Sequence, residues 1–357
     1  VIFYAKREWF LSILILLYIM LLIRDPSLLG RTIDFIDYES LAAIISLLLV
    51  SRGLELSGIF SRAAPKIVEL SGSSDLKLLI FITILVAASS AVIMNDTAIF
   101  VFIPLILTIS RITGISTAEM VTLTAISANI GSALTPIGNP QNIIIWRTYR
   151  ISMSEFILKM LPYVMLWIVI LFFFLWLNGG KKPISKLPLP KVKIKRRLFF
   201  TSLALLITNI ILIEKGYAVF AFIITMILMI FAGKESILSL DVALIAVFTL
   251  IFIDFKELAF LLSETSFPLN TTMGTFLLSA GLSQLISNVP TTVLFVSKVK
   301  WLPLALGVNL GGNGIISGSL ANFIALRISG ISLREFHKYS IPYFLIATIA
   351  TLIVLAI

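Results

Sequence analysis

The sequence predicts an all-α polytopic membrane protein of two inverted-topology repeats, each with a re-entrant hairpin and a broken transmembrane helix. Three observations lead there. Hydrophobic residues fill 59% of the 357 positions and charged residues 13%, with a mean hydropathy of +1.08, far from a soluble domain. Apolar runs near the length of a ~30 Å hydrocarbon core recur along the chain, with helical rather than alternating periodicity. The third observation is an internal repeat. Residues 129–163 lie on 309–343 at a constant shift of 180, matching Asn129/Asn309, Gly131/Gly311, Gly138/Gly318, Asn142/Asn322, Arg147/Arg327, Glu155/Glu335 and Pro162/Pro342. Apolar bias alone does not align Asn, Arg, Glu and Pro in register.

Helices are expected at 9–23, 38–56, 74–94, 97–110, 117–134, 142–150, 160–177, 198–213, 217–232, 239–256, 270–287, 291–300, 301–316, 319–327 and 341–357. Val1 to Ile23 lacks a small-residue cleavage site and reads as a first helix rather than a signal peptide. The arms at 97–110 and 291–300 would span only about 15 to 21 Å, so each reads as the return half of a re-entrant hairpin. Upstream of the matched segment the shift grows to 193, pairing Asn95 with Asn288. Counting crossings then orients the halves. Residues 1–177 form the first repeat, 178–197 a basic loop, 198–213 a linking helix without a counterpart, and 214–357 the second repeat, delivered inverted. Lys181 to Arg197 contains no acid, and the positive-inside bias places it, with the N-terminus, in the cytoplasm. A cell (plasma) membrane location follows.

Polar residues interrupt the apolar runs at four places. Asn95-Asp96-Thr97 and Ser287-Asn288-Val289-Pro290-Thr291-Thr292 form the hairpin tips. Thr135, Gly138, Asn139 and Asn142 mark the first broken helix; Asn309, Asn313, Ser317, Gly318, Ser319 and Asn322 mark the second. Unwinding a helix in hydrocarbon frees backbone groups that only protein, water or a ligand can satisfy. Freed carbonyls suit a cation, and freed amides at the next helix start suit an anion. Asn139 reads as an N-cap with Pro140 as the first helical residue, and Ser319 as the matching cap. Small and polar residues also merely pack membrane helices, and Thr135-Pro136 could be a plain kink. Two matched pairs in inverted halves favour a binding role.

Asp96 has Val289 as its repeat partner, so one half alone carries the acid. Proton or sodium coupling and simple capping of the arm at Thr97 are both open for it. Glu55 and Asp254 read as structural charges near helix ends, beside Arg52 and Lys256, and His337 as part of a surface helix. With no cysteine and one histidine, disulfides, thiolate metal sites and the usual zinc and haem ligand sets are excluded. No nucleophile–base pair or phosphate loop points to an enzyme. No cofactor beyond a coupling ion is expected, and no nucleic acid; the partners are a small anion and the bilayer, with a homodimer left open.

Leu54-Glu55-Leu56-Ser57-Gly58, Met94-Asn95-Asp96-Thr97, Asn129-Ile130-Gly131 and Thr135-Pro136-Ile137-Gly138-Asn139-Pro140-Gln141-Asn142 resemble the ion transporter superfamily, as does Ser287-Asn288-Val289-Pro290-Thr291-Thr292. That superfamily joins arsenite/antimonite efflux permeases, sodium/proton antiporters and divalent-anion:sodium symporters. The resemblance implies sodium at Asn95, Thr97, Asn288 and Thr291, with Ser287 beside them, and substrate at the broken-helix loops. Met94 and Asp96 at the first tip and Val289-Pro290 in the second depart from the dicarboxylate symporters, and the Asn-Asp tip looks closer to the arsenite-permease-like branch. The function expected is secondary active transport of a small inorganic or organic anion, coupled to sodium or protons by alternating access. The alternative is a sodium/proton antiporter using Asp96.

Overall fold

The computed structural model describes residues 9–71, 74–178, 193–240, 242–263, 271–296 and 298–356; most of the basic loop read from the sequence lies outside them. The helices run in order as α1 Trp9–Arg24, α2 Leu28–Phe35, α3 Tyr38–Leu56, α4 Ile59–Leu70, α5 Asp75–Ser90, α6 Asn95–Thr113, α7 Thr117–Ser132, α8 Pro140–Tyr149 and α9 Met153–Asn178. After the basic loop come α10 Arg196–Glu214, α11 Ala218–Ala232, α12 Lys234–Leu238, α13 Val242–Ser263, α14 Thr272–Ile286, α15 Asn288–Phe295 and α16 Trp301–Gly311. A 3-10 turn at Ile316–Gly318 leads to α17 Leu320–Ser329 and α18 Leu333–Ala356.

Among the described residues four helices are long and apolar enough to cross a membrane: α6, and the stretches Met153–Leu177, Arg196–Ile213 and Leu333–Ala356. The pair α3 and α4, bent at Ser57-Gly58, makes a fifth if counted as one span. The chain is a multi-pass membrane protein. The spanning window of α6 is 72% buried, against 28% in α9 and 22% in α18, so α6 is wrapped by protein while α9 and α18 lie towards the outside of the fold.

Two compact units emerge, and each draws on both repeats: Val1–Ser57 with Ile194–Ser266, and Gly58–Lys193 with Phe267–Ile357. In the first unit α3 packs on α10 and α11, and α1 on α13. Gly53 makes the α3 contact possible, since a Cβ there would strike the Ser202 hydroxyl and the Met229 methyl. A carboxylate oxygen of Glu39 accepts the Ala218 N–H at 2.8 Å, a favourable charge at a helix start. Arg31 pairs with Asp25 at 2.5 Å and with buried Glu257 at 3.4 Å. Its guanidinium also lies over the rings of Phe35 and Phe260. Asp254 departs from its reading as a helix-end charge. It lies in the middle of α13, fully buried, and neither oxygen has a hydrogen-bond partner among the described residues. Glu55 does sit near a helix end, paired with Arg52 at 2.5 Å.

The second unit holds α4 to α9 and α14 to α18. Here α5 and α6 pack on α7, and α14 and α15 pack on α16. The close contacts are equivalent. A Cβ on Gly131 would meet the Ala87 backbone, and one on Gly311 would meet the Ala280 carbonyl and Ser283; Ala87 and Ala280 are themselves partners at the 193 shift. Between α9 and α18, Trp167 Nε1 donates to Thr351 Oγ1 at 2.9 Å and Tyr343 Oη donates to the Trp167 carbonyl at 3.0 Å.

Several boundaries differ from expectation. Helices α2, α4 and α12 were not predicted, because polar residues and Pro65 break their apolar pattern. Helices α9 and α18 begin earlier than 160 and 341; Ser152 and Ser332 accept the N–H groups of Glu155 and Glu335, so a charged first turn precedes each apolar run. The first return arm, α6, has 19 residues, about 28 Å, so length alone does not make it re-entrant. The second, α15, has eight, about 12 Å, and ends at Phe295 rather than Lys300.

Candidate functional site

The break in the first repeat follows from its local sequence. Asn139 has an extended backbone and its side chain accepts the Asn142 N–H at 2.9 Å, with Pro140 as first helical residue, as its cap reading expects. Ser319 precedes α17 in the same extended conformation, but its hydroxyl makes no cap bond; it donates instead to Asn129 Oδ1 at 3.1 Å. Gly138 and Gly318 have no left-handed backbone. They are required by close approach: a Cβ would run into the Ser132 backbone or the Gly311 carbonyl.

The buried asparagines of the broken helices then bond across and within the matched segments, each contact occurring twice. Asn129 Nδ2 donates to Asn322 Oδ1 at 3.1 Å, and Asn309 Nδ2 donates to Asn142 Oδ1 at 2.7 Å. Asn139 Nδ2 reaches Asn309 Oδ1 at 2.8 Å, as Ser319 Oγ reaches Asn129 Oδ1. Asn142 Nδ2 donates to the Ser132 carbonyl at 3.2 Å, and Asn322 Nδ2 to the Gly312 carbonyl at 2.8 Å. Under the 180 shift each bond maps onto its twin.

The first hairpin tip is tied into this network. Asn95 Nδ2 donates to Asn129 Oδ1 at 3.0 Å and its N–H to the Gly138 carbonyl at 2.9 Å. At the second tip Asn288 Oδ1 accepts from the Val289 N–H at 2.9 Å and from Ser287 Oγ at 3.3 Å. Its Nδ2 lies 3.6 Å from where a Cβ would stand on Gly312. Thr291 and Thr292 turn back on the carbonyls of Ser287 and Asn288, both at 2.8 Å, and Thr97 is buried in the first turn of α6. The starts of α6, α8, α15 and α17 therefore meet in one connected patch. Their N–H ends favour an anion, while the loop carbonyls favour a cation.

Asp96 is half-buried, its N–H is held by Asn95 Oδ1 at 3.0 Å, and its carboxylate makes no ion pair or side-chain hydrogen bond among the described residues. It caps nothing, because α6 already begins at Asn95 with Met94 preceding it. Two other oxygens stand without partners: Gln141 Oε1 and Asn313 Oδ1, both buried. Acceptors left open in this way fit a cation or a hydrogen-bond donor.

Several participants were not singled out from the sequence. Gln141 stands inside the quoted first break, but its repeat partner is Ala321. Gln284 stitches the second break: Oε1 accepts the Ile315 N–H at 2.5 Å, Nε2 donates to the Gly311 carbonyl, and its own carbonyl accepts Ser317 Oγ at 2.5 Å. Its partner at the 193 shift is Ala91, whose carbonyl accepts Thr135 Oγ1 at 2.7 Å. A lone glutamine in an apolar arm was the available signal. His337, on the mostly exposed helix α18, is half-buried and more than a surface side chain: its Nε2 accepts the Ile316 N–H at 3.1 Å.

Comparison with known proteins identifies the family of the chain. The profile of the citrate transporter (CitMHS) family matches residues 2–300. The chain is 33% identical over 335 residues to Inner membrane protein YbiR of Escherichia coli (strain K12), covering 90% of this chain and 88% of that one. It is 37% identical over 261 residues to Uncharacterized transporter MJ0456 of Methanocaldococcus jannaschii, covering 72% and 71%. A shorter match, 28% over 123 residues, reaches the P protein of Sus scrofa, covering 34% of this chain and 15% of that one. With a family match over most of its length and a relative aligned nearly end to end, the chain belongs to the citrate transporter family of the ion transporter superfamily, a family of secondary transporters rather than enzymes.

Proposed function

We propose that this protein carries a small anion through the patch where α6, α8, α15 and α17 begin, coupled to sodium or protons by alternating access. The observation that carries the reading is the doubled asparagine network. It holds two broken helices start to start, where helix dipoles favour negative charge without a fixed cation that would trap the substrate. The reciprocity of those bonds supports repeats related by a two-fold axis, and crossing parity makes them inverted. The family's name points to citrate and related carboxylates as the first substrates to test. The Asn-Asp tip keeps small oxyanions of the arsenite class beside them. Sodium would sit at Asn95 and Thr97, and at Ser287, Asn288 and Thr291, with the open oxygens of Gln141 and Asn313 as further acceptors.

Uptake of labelled citrate and of arsenite into proteoliposomes, under imposed sodium or proton gradients, tests this directly. Gradient-driven uptake of either supports the reading; none from any anion in a broad panel overturns it. The second reading, a sodium/proton antiporter, rests on the unpartnered carboxylate of Asp96. A sodium-driven pH change with no anion present would favour it. Asp96→Asn is expected to abolish gradient-driven transport while leaving the thermal midpoint within a few degrees; unimpaired coupling in that variant removes Asp96 from the mechanism.

A further inference from the structure

We propose that a basic cleft in the second unit, at the starts of α9, α14 and α16 and the end of α8, binds the phosphate headgroup of an anionic phospholipid. The cleft measures about 840 Å³ and lies among Lys159, Lys298 and Lys300, with no carboxylate among the described residues of its lining. None of the three lysines forms an ion pair among the described residues. Glu155, one turn before Lys159 on α9, does not pair with it. Three like charges around one hollow repel one another until an anion enters.

The cleft is built rather than incidental. Tyr149 Oη donates to the Val299 carbonyl at 2.5 Å, pinning the peptide between Lys298 and Lys300. Trp301 stacks on fully buried Phe156, with ring centroids 5.4 Å apart and 23° between planes. The lysines thus extend from a fixed backbone. Crossing parity assigns all three to the face that the positive-inside bias depletes of cations, so orientation in the membrane does not explain their gathering.

The composition of the lining selects the ligand. Lysines above a Trp and a Tyr at helix ends are the residues of the headgroup layer. Val299, Leu302 and Pro303 add an apolar part to the same lining, which suits a glycerol backbone and its first methylenes. A freely soluble carboxylate has no use for it. The headgroup would rest against the start of α16, which carries Asn309 about 12 Å further along. This inference is independent of the transported substrate.

The test uses the full chain in nanodiscs of phosphatidylcholine alone or mixed with phosphatidylglycerol, with retained lipid counted by native mass spectrometry and folding followed by thermal melting. Phosphatidylglycerol is expected to stay bound and to raise the melting midpoint. Lys298→Gln with Lys300→Gln should weaken retention by about fivefold per lysine, while Lys77→Gln, exposed elsewhere on the unit, should not. Melting in phosphatidylcholine reports whether the double variant is folded; if it is not, Lys300→Gln alone serves. Equal retention by folded variant and wild type overturns the proposal. So does stabilisation by citrate or by soluble glycerophosphoglycerol with none from the lipid, which would make the cleft a soluble-anion site.

Discussion

Ser287 sits at the tip of the second hairpin with φ 70 and ψ 161, a region nearly reserved for glycine and costing of order 1–3 kcal/mol. The strain is held in place by its neighbours, since Thr291 Oγ1 bonds the Ser287 carbonyl and the Ser287 N–H bonds the Ser283 carbonyl. Ser287→Gly should therefore be more stable than Ser287→Ala by roughly 1–3 kcal/mol and melt higher, whatever each does to transport; equal midpoints would show that the backbone there is relaxed. Residue identity made some of this site legible. Asn139 is readable because a cap and its target lie three residues apart. The Asn309–Asn142 bond is not, because its partners are separated by 167 positions and only the repeat alignment hints that they are equivalent. The contacts of Gln284 and His337 were hidden for a related reason: their partners are backbone groups of a distant break, and a backbone group has no letter in the sequence.

At the scale of elements, the two broken helices end alike. Arg150 after α8 and Gly330 after α17 are partners at the 180 shift, both left-handed, with N–H groups bonded to the carbonyls of Trp146 and Leu326. Glycine adopts this cap freely and arginine does not, so Arg150→Gly should raise unfolding stability by roughly 1 kcal/mol, read by thermal melting; a drop would mean that the Arg150 side chain holds something. Helix α2 has a pH-sensitive start. Asp25 accepts from the Ser27 N–H at 3.0 Å and the Ser27 hydroxyl at 2.6 Å. Those bonds, aided by Arg31, hold its carboxyl below the ordinary carboxylate range. A depressed native pKa stabilises above the unfolded value and is lost as pH falls through the lowered one. The protection of amides in Leu28–Phe35, measured relative to intrinsic exchange at each pH, should fall on acidification below the carboxylate range, and Asp25→Asn should show lowered protection at neutral pH as well. Helices of this kind were hard to see in advance. Apolar periodicity finds long spans, whereas α2, α4 and the charged first turns of α9 and α18 are set by caps and packing.

For the whole molecule, the readings from composition and from the repeat differ in reach. Composition made the membrane class plain, and the 180 shift anticipated which polar residues are equivalent. It did not anticipate that compact units would cut across the repeats, because a sequence alignment measures descent and a contact map measures packing. The consequence concerns biosynthesis. Neither unit is contiguous: the first is assembled from Val1–Ser57 and Ile194–Ser266, the second from Gly58–Lys193 and Phe267–Ile357. A nascent chain that has emerged only as far as the basic loop has finished neither: α5 and α6 can already pack on α7, but the packing of α1 on α13 and of α3 on α10 and α11 must wait for the later half. Residues 1–178 expressed alone should be degraded or aggregate, whereas co-expression with 193–357 should rescue both pieces, measured as co-purification and restored transport. A stable, monodisperse first half would refute that interdependence. The two halves of this protein would then be read as obligate partners on the ribosome's clock, each a template the other must find before quality control does.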